Sequence, residues 1–389
     1  MNKKLQLATI VLFVGVLFAF SIAFFVLPDQ SFSAEENRSL RSFPRFTWKK
    51  LASGAFGEEI NDYFADQFPA RDLLVGLKGY SEIALGKGEN NGVILGKNGQ
   101  LQTRLFDMLL ADGSVARDSD AFDPATVQKA LDGINRTGEA LEVPFSVLLT
   151  GRVIDVTVSA SDYPTDISDA LLGQLREGVG DGVDYIETVP VFREKYDAGE
   201  YVYYKTDHHW TTLGAYYAYV ETMRSFGMED EILLREDFAV EIASNAFYGT
   251  AWSAAGMKFV SPDALEIWTL GNEAEFSIVA DGVPLDGFYS RSYLEKKDQY
   301  SVFLDGTHDV VTVKKEGETR QTLVIFKDSF ANSLAPFLAQ HFDLVLLNLS
   351  SRRDFTNVTA LAEEYGADRV LMVYTVENVI TADKLAKLR

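Results

Sequence analysis

The chain has 389 residues, 47% of them apolar, enough for one large domain or two ordinary ones with packed cores. Its 36 basic and 57 acidic residues give a net charge of −21, which repels phosphate backbones and argues against nucleic acid as a partner. No cysteine is present, which removes disulfides, thiolate metal ligands and a thiol nucleophile, and a secreted chain without disulfides fits a Gram-positive surface better than an animal secretory route.

Asn2-Lys3-Lys4 precedes an apolar run from Leu5 to Leu27, broken only by Gln6, Thr9, Gly15 and Ser21 and ended by Pro28-Asp29. At ~1.5 Å per residue such a helix crosses a ~30 Å hydrocarbon core. The two lysines predict a cytoplasmic N-terminus and a single-pass protein whose C-terminal domain is extracellular. Phe32-Ser33-Ala34 keeps open a cleaved signal peptide and a secreted product. The length of the run favours an uncleaved anchor.

The expected organisation is an anchor over residues 1–30, a membrane-proximal helical segment and domain entry over 31–125, and an α/β domain over 126–389. Leu51 to Leu85 has helical apolar spacing interrupted at Pro69, and Asn98-Gly99 marks a tight hairpin turn. From Thr126 helices and short apolar runs alternate. Strands are predicted at 144–149, 183–186, 322–326, 344–347 and 369–373, with helices at 126–141, 166–179, 333–340 and 355–365. That pattern is what a parallel sheet covered on both faces requires. Residues 238–314, rich in Gly and aromatics, read as a β-rich insertion.

Two motifs carry chemistry. Lys205-Thr206-Asp207-His208-His209-Trp210-Thr211-Thr212 places two of the four histidines beside a carboxylate and then opens a helix. If the segment is extended, Asp207 and His209 share a face, so the carboxylate can hold one imidazole nitrogen and leave the other free as a base. Hydrogen-bonded histidines shaping a turn, or a metal site on Asp207, His208 and His209, remain alternatives. The second motif, Lys327-Asp328-Ser329-Phe330, turns a buried strand into a helix. It would set Ser329 at the carboxyl edge of a parallel sheet, where backbone N–H groups can stabilise an oxyanion. Asp328 or Ser329 as a plain helix cap is the structural alternative.

These segments resemble the DHHW family, which is similar in turn to the SGNH hydrolase-like acetyltransferase proteins of alginate biosynthesis. The resemblance also rests on Glu36-Asn37-Arg38-Ser39-Leu40, on Asp66-Gln67-Phe68-Pro69-Ala70-Arg71-Asp72, on Gly92-Val93-Ile94-Leu95-Gly96-Lys97 and on Gly214-Ala215-Tyr216. It implies an SGNH-like three-layer α/β/α domain in which Asp-x-His precedes the serine, the reverse of ordinary SGNH hydrolases. Asp207 would orient, His209 would act as base and Ser329 as nucleophile. The chain departs from the pattern at Thr150-Gly151-Arg152 and at Asn348-Leu349-Ser350-Ser351-Arg352-Arg353.

The resemblance implies O-acetylation of a cell-surface polysaccharide or cell-wall glycan, with a membrane-bound O-acyltransferase as acetyl donor. A carbohydrate acetyl esterase and a non-catalytic glycan-binding or scaffolding envelope protein are the alternatives. No nucleotide or acetyl-CoA cradle is visible and no cofactor is expected. Candidate oxyanion or substrate contacts are Arg152, Asn332, Asn348 and Asn378. Trp210 and Tyr204, in an aromatic-rich stretch, are candidate sugar-stacking residues or packing. His308 and His341 are expected to be exposed, and Arg352-Arg353 to be a solvated loop.

Overall fold

The computed structural model describes residues 3–33, 38–103, 108–109, 115–116, 124–161, 166–349, 357–381 and 385–388. Arg352-Arg353 and Ala34 lie outside them. The chain forms two compact units, Met1–Asn90 with Gly256–Lys258, and Asn91–Ala255 with Phe259–Arg389.

The first unit contains helices α1 (Lys3–Val26), α2 (Trp48–Ser53), α3 (Ala55–Asp66) and α4 (Arg71–Ala84). Thr47 caps α2 through its hydroxyl, and Gly54, at φ 83°, ends it. The break expected at Pro69 separates α3 from α4, with Ala70 in the left-handed region at φ 56°.

The second unit opens with a hairpin of β1 (Val93–Leu95) and β2 (Leu101–Thr103), turned by Asn98 and Gly99, both left-handed. The hairpin was expected as the entry to the main domain, at the end of the 31–125 segment. Hydrogen bonds from Leu101 N–H to the Lys205 carbonyl and from Gln100 Nε2 to the Tyr204 carbonyl, both 2.9 Å, tie it to the α/β body.

In chain order that body contains α5 (Pro124–Ala140), β3 (Phe145–Thr150), α6 (Val153–Val156), α7 (Asp166–Gly178), β4 (Asp184–Glu187), α8 (Val189–Asp197) and α9 (Thr212–Ser225). A second stretch adds β5 (Ala239–Phe247), α10 (Thr250–Ala255), β6 (Asp263–Thr269), β7 (Phe276–Ala280), β8 (Val283–Leu285) and β9 (Val310–Lys315). The remainder is β10 (Thr322–Lys327), α11 (Phe330–Leu338), β11 (Asp343–Asn348), α12 (Val358–Glu364), β12 (Arg369–Thr375) and α13 (Val376–Thr381).

Eight strands form one sheet in the order β8-β7-β9-β11-β10-β12-β3-β4. From β11 to β4 neighbours run parallel; β9, β7 and β8 join antiparallel. The α/β class read from the sequence is therefore found, with a mixed rather than a wholly parallel sheet. Residues 238–314 account for the difference: β5 and β6 pair as a separate ribbon, while β7, β8 and β9 extend the main sheet.

Side chains alternate across the strands, and each sheet face has its own core. Leu323 and Ile325 of β10 pack with α9 and α11 residues such as Tyr219 and Phe337. Val324 and Phe326 pack with α5, α7 and α12 residues such as Leu131, Leu175 and Val358. A smaller cluster of Tyr204, Phe247, Ile267, Tyr300 and Phe303 sits under the β5–β6 ribbon.

Gly214, in the first turn of α9, donates its N–H to the Thr211 hydroxyl that caps the helix. A Cβ there would lie 2.2 Å from the Val202 carbonyl oxygen and 2.8 Å from Trp210 Cβ. Gly214→Ala is expected to lower stability by about 2 kcal/mol, measured as a fall in the urea midpoint with an unchanged slope.

Candidate active site

The first motif is a bend rather than the extended segment that alternation suggested. Tyr203 and Trp210 pair across its mouth, Thr211 N–H donates to the Val202 carbonyl, and Asp207 Oδ1 accepts the N–H of His209 at 3.0 Å. A side chain capturing its own backbone two residues on makes an Asx turn. That turn brings the His209 ring back to Asp207, so Nδ1 meets Oδ1 at 2.6 Å. From β6, Asp263 holds the bend by accepting Lys205 N–H, Thr206 N–H and the Thr206 hydroxyl, at 3.0, 2.8 and 2.5 Å.

The other Asp207 oxygen, Oδ2, accepts the Thr250 N–H at 2.8 Å and the Thr250 hydroxyl at 3.0 Å, at the start of α10. Both oxygens of a buried carboxylate are thus supplied with donors, which offsets its desolvation. Because the Thr250 hydroxyl donates to Asp207, it accepts from His208 Nδ1, 2.6 Å away.

The second motif lies where the strand-to-helix pattern put it. β10 ends at Lys327, in register with Asn348 of β11 and Val373 of β12, and α11 begins at Phe330. Ser329 therefore stands at the carboxyl edge of the parallel strands. It occupies the cap position without capping; Asp328 Oδ1 instead accepts the Phe330 N–H at 3.0 Å. Asp328 Oδ2 accepts Thr375 N–H and Asn378 Nδ2, both at 2.8 Å, fastening the turn to the end of β12 and to α13. Ser329 Oγ is free to meet His209 Nε2 at 2.6 Å. The Ser329 N–H has no acceptor among the described residues.

The imidazole is held on its face as well as at both nitrogens. Tyr300 stacks on His209 with ring centroids 3.7 Å apart and planes 9° from parallel. Its hydroxyl meets Ser333 Oγ at 2.9 Å, and Trp210 Nε1 donates to the same oxygen at 2.8 Å. Ser333 is on α11, four residues after Ser329, so one helix positions the serine and the clamp on its partner.

Burial opposes charge on Asp207, yet the two imidazoles, the bond from His209 and the Thr250 N–H hold its carboxyl well below the usual range. Burial, then the neighbouring His208, pull His209 down to about 4 despite Asp207. At neutral pH His209 is an uncharged imidazole beside an ionised carboxylate, donating through Nδ1 and accepting from the serine hydroxyl at Nε2. Lys327 is also buried, and burial lowers its amine to about 8.

Ser329 lines a cleft of about 320 Å³, together with Thr103, His208, Thr250, Phe330 and, from the far end of β12 and α13, Thr375, Glu377 and Asn378. Burial raises the Glu377 carboxyl. Thr250, Tyr300 and Glu377 were not anticipated from the sequence, which has no local motif for them. Their positions follow from the β5–β6 ribbon and the β12–α13 turn.

The other sequence candidates are distributed unevenly. Asn378 lines the cleft. Trp210 and Tyr204 are fully buried and present no ring face to a sugar, which corrects the stacking alternative in favour of packing. Arg152 is buried in a bidentate pair with Asp155, both bonds 2.8 Å, and is not among the described cleft-lining residues. Asn332, also away from the lining, donates to the Gly306 carbonyl at 2.9 Å, and Asn348 is buried at the end of β11.

His341 is mostly buried against Tyr219, to whose hydroxyl its Nε2 lies 2.8 Å away, and His308 is bracketed by Asp281 and Asp305. Neither is the exposed histidine expected. Donor atoms of Asp207, His208 and His209 do lie within 4.8 Å of one another. The hydrogen bonds assign both His209 nitrogens and both Asp207 oxygens to partners a cation would have to displace, so the donor set fits a proton relay better than a metal.

An α/β body with an Asp–His–Ser hydrogen-bonded chain at the carboxyl edge of its sheet has a geometry that can activate a serine hydroxyl. The DHHW protein family model matches residues 182–348, a span containing Asp207, His209 and Ser329, and the resemblance read from the motifs is borne out. No curated protein matches the sequence.

Among solved structures, a DHHW family protein from Eubacterium siraeum aligns with a TM-score of 0.58 at 17% identity, over 76% of this chain and 97% of its own. Bacillus cereus PatB1, in a structure with a sulfonyl adduct, aligns with a TM-score of 0.59 at 21% identity, over 73% of this chain and 99% of its own. These likenesses establish the shared fold. The O-acetyltransferase domain of Pseudomonas putida AlgJ reaches a TM-score of only 0.46 at 13% identity, over 77% of this chain and 95% of its own.

Gly249 is required by the site itself, since a Cβ there would fall 2.2 Å from Asp207 Cβ and 2.3 Å from Oδ2. Gly249→Ala is expected to displace the Asp207 carboxylate and to slow Ser329 modification by a sulfonyl fluoride at least about 100-fold, read by mass spectrometry, with the far-UV circular dichroism unchanged.

Proposed function

We propose that the protein is an extracytoplasmic O-acetyltransferase acting on a hydroxyl of a cell-surface polysaccharide or cell-wall glycan, through Asp207, His209 and Ser329. The observation that carries this reading is the unbroken chain Asp207 Oδ1–His209 Nδ1 at 2.6 Å and His209 Nε2–Ser329 Oγ at 2.6 Å, ending in an open cleft. The DHHW resemblance supports acetyl transfer as the reaction. The sulfonyl adduct on PatB1 is the type of product that an activated hydroxyl forms, and so supports serine chemistry on this fold.

In the proposed reaction His209 Nε2 takes the Ser329 proton as Oγ bonds to the acetyl carbonyl carbon. The oxyanion is held by the free Ser329 N–H, and the leaving group departs with the proton from His209. A sugar hydroxyl then enters, His209 removes its proton, and collapse of the second tetrahedral intermediate returns the proton to Ser329. Asp207 stays ionised throughout and stabilises the transient imidazolium. The acetyl donor is a membrane-bound O-acyltransferase, and α1 is an anchor that keeps the α/β unit outside the membrane. Water in place of sugar would make the same site an esterase.

Full-length protein in detergent, given an activated acetyl ester and a panel of neutral and charged glycans, is expected to acetylate sugar through an acetyl-Ser329 intermediate visible by mass spectrometry. Ser329→Ala should abolish both signals, and Asp207→Asn should slow acylation by about 10⁴-fold. Ester cleavage without transfer would identify an esterase, and no Ser329-dependent turnover would leave a glycan-binding role.

The base form of His209 is required, and its pKa is shifted down. The acylation rate should therefore be flat from neutral pH to about pH 5 and fall tenfold per unit as pH drops below about 4. A limb centred at the ordinary histidine value of 6.5 would contradict the buried, paired imidazole.

A further inference from the structure

The segment Asp66 to Asp72 has no part in the chemistry proposed above. Within the membrane-proximal unit it builds a collar around the exit of α1. Gln67 Oε1 accepts the Gln30 N–H, and its Nε2 donates to the carbonyls of Gln30 and Arg41, each bond 2.9 Å. Asp66 Oδ2 accepts the Arg41 N–H at 2.8 Å, and the Tyr63 hydroxyl donates to Asp29 at 2.9 Å. Below these bonds Phe68 stacks on Phe20 of α1 at 5.3 Å, and Phe64 meets Phe24 at 5.0 Å.

Those contacts fix depth. At ~1.5 Å per residue Phe20 lies ~24 Å and Phe24 ~30 Å along α1 from Lys4, so a ~30 Å core that starts at the lysines ends near Phe24. Phe64 and Phe68 therefore sit at the outer boundary of the hydrocarbon. Ala70 reverses the chain there and α4 departs from the same level. On one side of α4 Leu73 is 70% exposed and Leu77 62%, with Leu74 and Tyr80 flanking them; Asp72, Lys78 and Glu82 occupy the other side. Leu85, at its end, is 86% exposed.

We propose that α3 and α4 lie in the interfacial layer of the leaflet from which α1 emerges, with Leu73, Leu74 and Leu77 among the lipid chains. The occupant of this apolar face is lipid because the face is continuous with the span: the aromatic residues that begin it already touch the last turns of α1. The collar bonds Asp29 and Gln30 into folded structure directly after the helix, an arrangement that fits an α1 kept in the mature chain. The proposal rests on α1 being an uncleaved anchor and is independent of chemistry at Ser329.

Because the chain has no cysteine, single-cysteine variants of the full-length protein can be spin-labelled in phosphatidylcholine–phosphatidylglycerol vesicles. Labels on Leu73→Cys and Leu77→Cys are expected to show an oxygen-to-nickel-chelate accessibility ratio at least tenfold above that of exposed Glu363→Cys. A label on Lys78→Cys, on the polar side, should stay near the Glu363→Cys value. Ratios at positions 73 and 77 equal to the control would overturn the proposal. Shielding from both reagents would also overturn it, by showing that protein covers the face.

The intact mass of protein extracted from host membranes separates the two readings. A chain that still carries α1 is expected. One trimmed near Ala34 would overturn this proposal and leave the Ser329 assays untouched.

Discussion

The Asp207 carboxylate is the constraint on which the site depends. It is almost fully buried, and it receives the N–H and the ring of His209 on one oxygen and the N–H and hydroxyl of Thr250 on the other. An ion in that position is tolerated only while all those donors are present. The requirement binds two separate pieces of chain: the 205–210 bend, and the Gly249–Thr250 step, where the glycine lets the start of α10 approach. Removing either leaves a buried charge without its partners, which costs more than the loss of a single hydrogen bond.

The sheet and the loops divide the work. Parallel strands deliver the turn after β10 and the start of α13 to the same edge, where Asp328 joins them through Thr375 and Asn378. Serine placement is thus a backbone matter, settled by register. Placement of the histidine is a side-chain matter, settled by stacking: Tyr300 covers one ring face, while Tyr300 and Trp210 are both moored to Ser333 on α11. The imidazole and the hydroxyl therefore share one support on α11. Such coupling is what preorganisation of a reacting pair requires.

Acidic excess and an apolar N-terminus pull the chain in opposite directions. A net charge of −21 over the whole chain opposes approach to anionic surfaces, whereas α1 has no buried residue among those described and a composition suited to lipid. Within the first unit, the aromatic contacts of Phe64 and Phe68 and the hydrogen bonds of Gln67 hold the exit of α1 in folded structure.

Local rules made much of this legible. Alternating apolar runs and amphipathic helices revealed an α/β body, the Asn-Gly pair revealed the hairpin, and the strand-to-helix punctuation at Lys327–Phe330 located the serine, because each depends on neighbours within a few residues. Sequence by itself also paired Asp207 with His209, two positions apart. What it did not contain was the identity of distant partners. Thr250, Tyr300 and Glu377 come from separate segments, and nothing in their own surroundings distinguishes them.

The tertiary structure likewise decided that Trp210 and Tyr204 belong to cores, that Arg152 is buried against Asp155, and that β7, β8 and β9 prolong the sheet. Burial and long-range pairing are properties of the assembled chain, in which residues 120 positions apart, such as His209 and Ser329, come within hydrogen-bond distance.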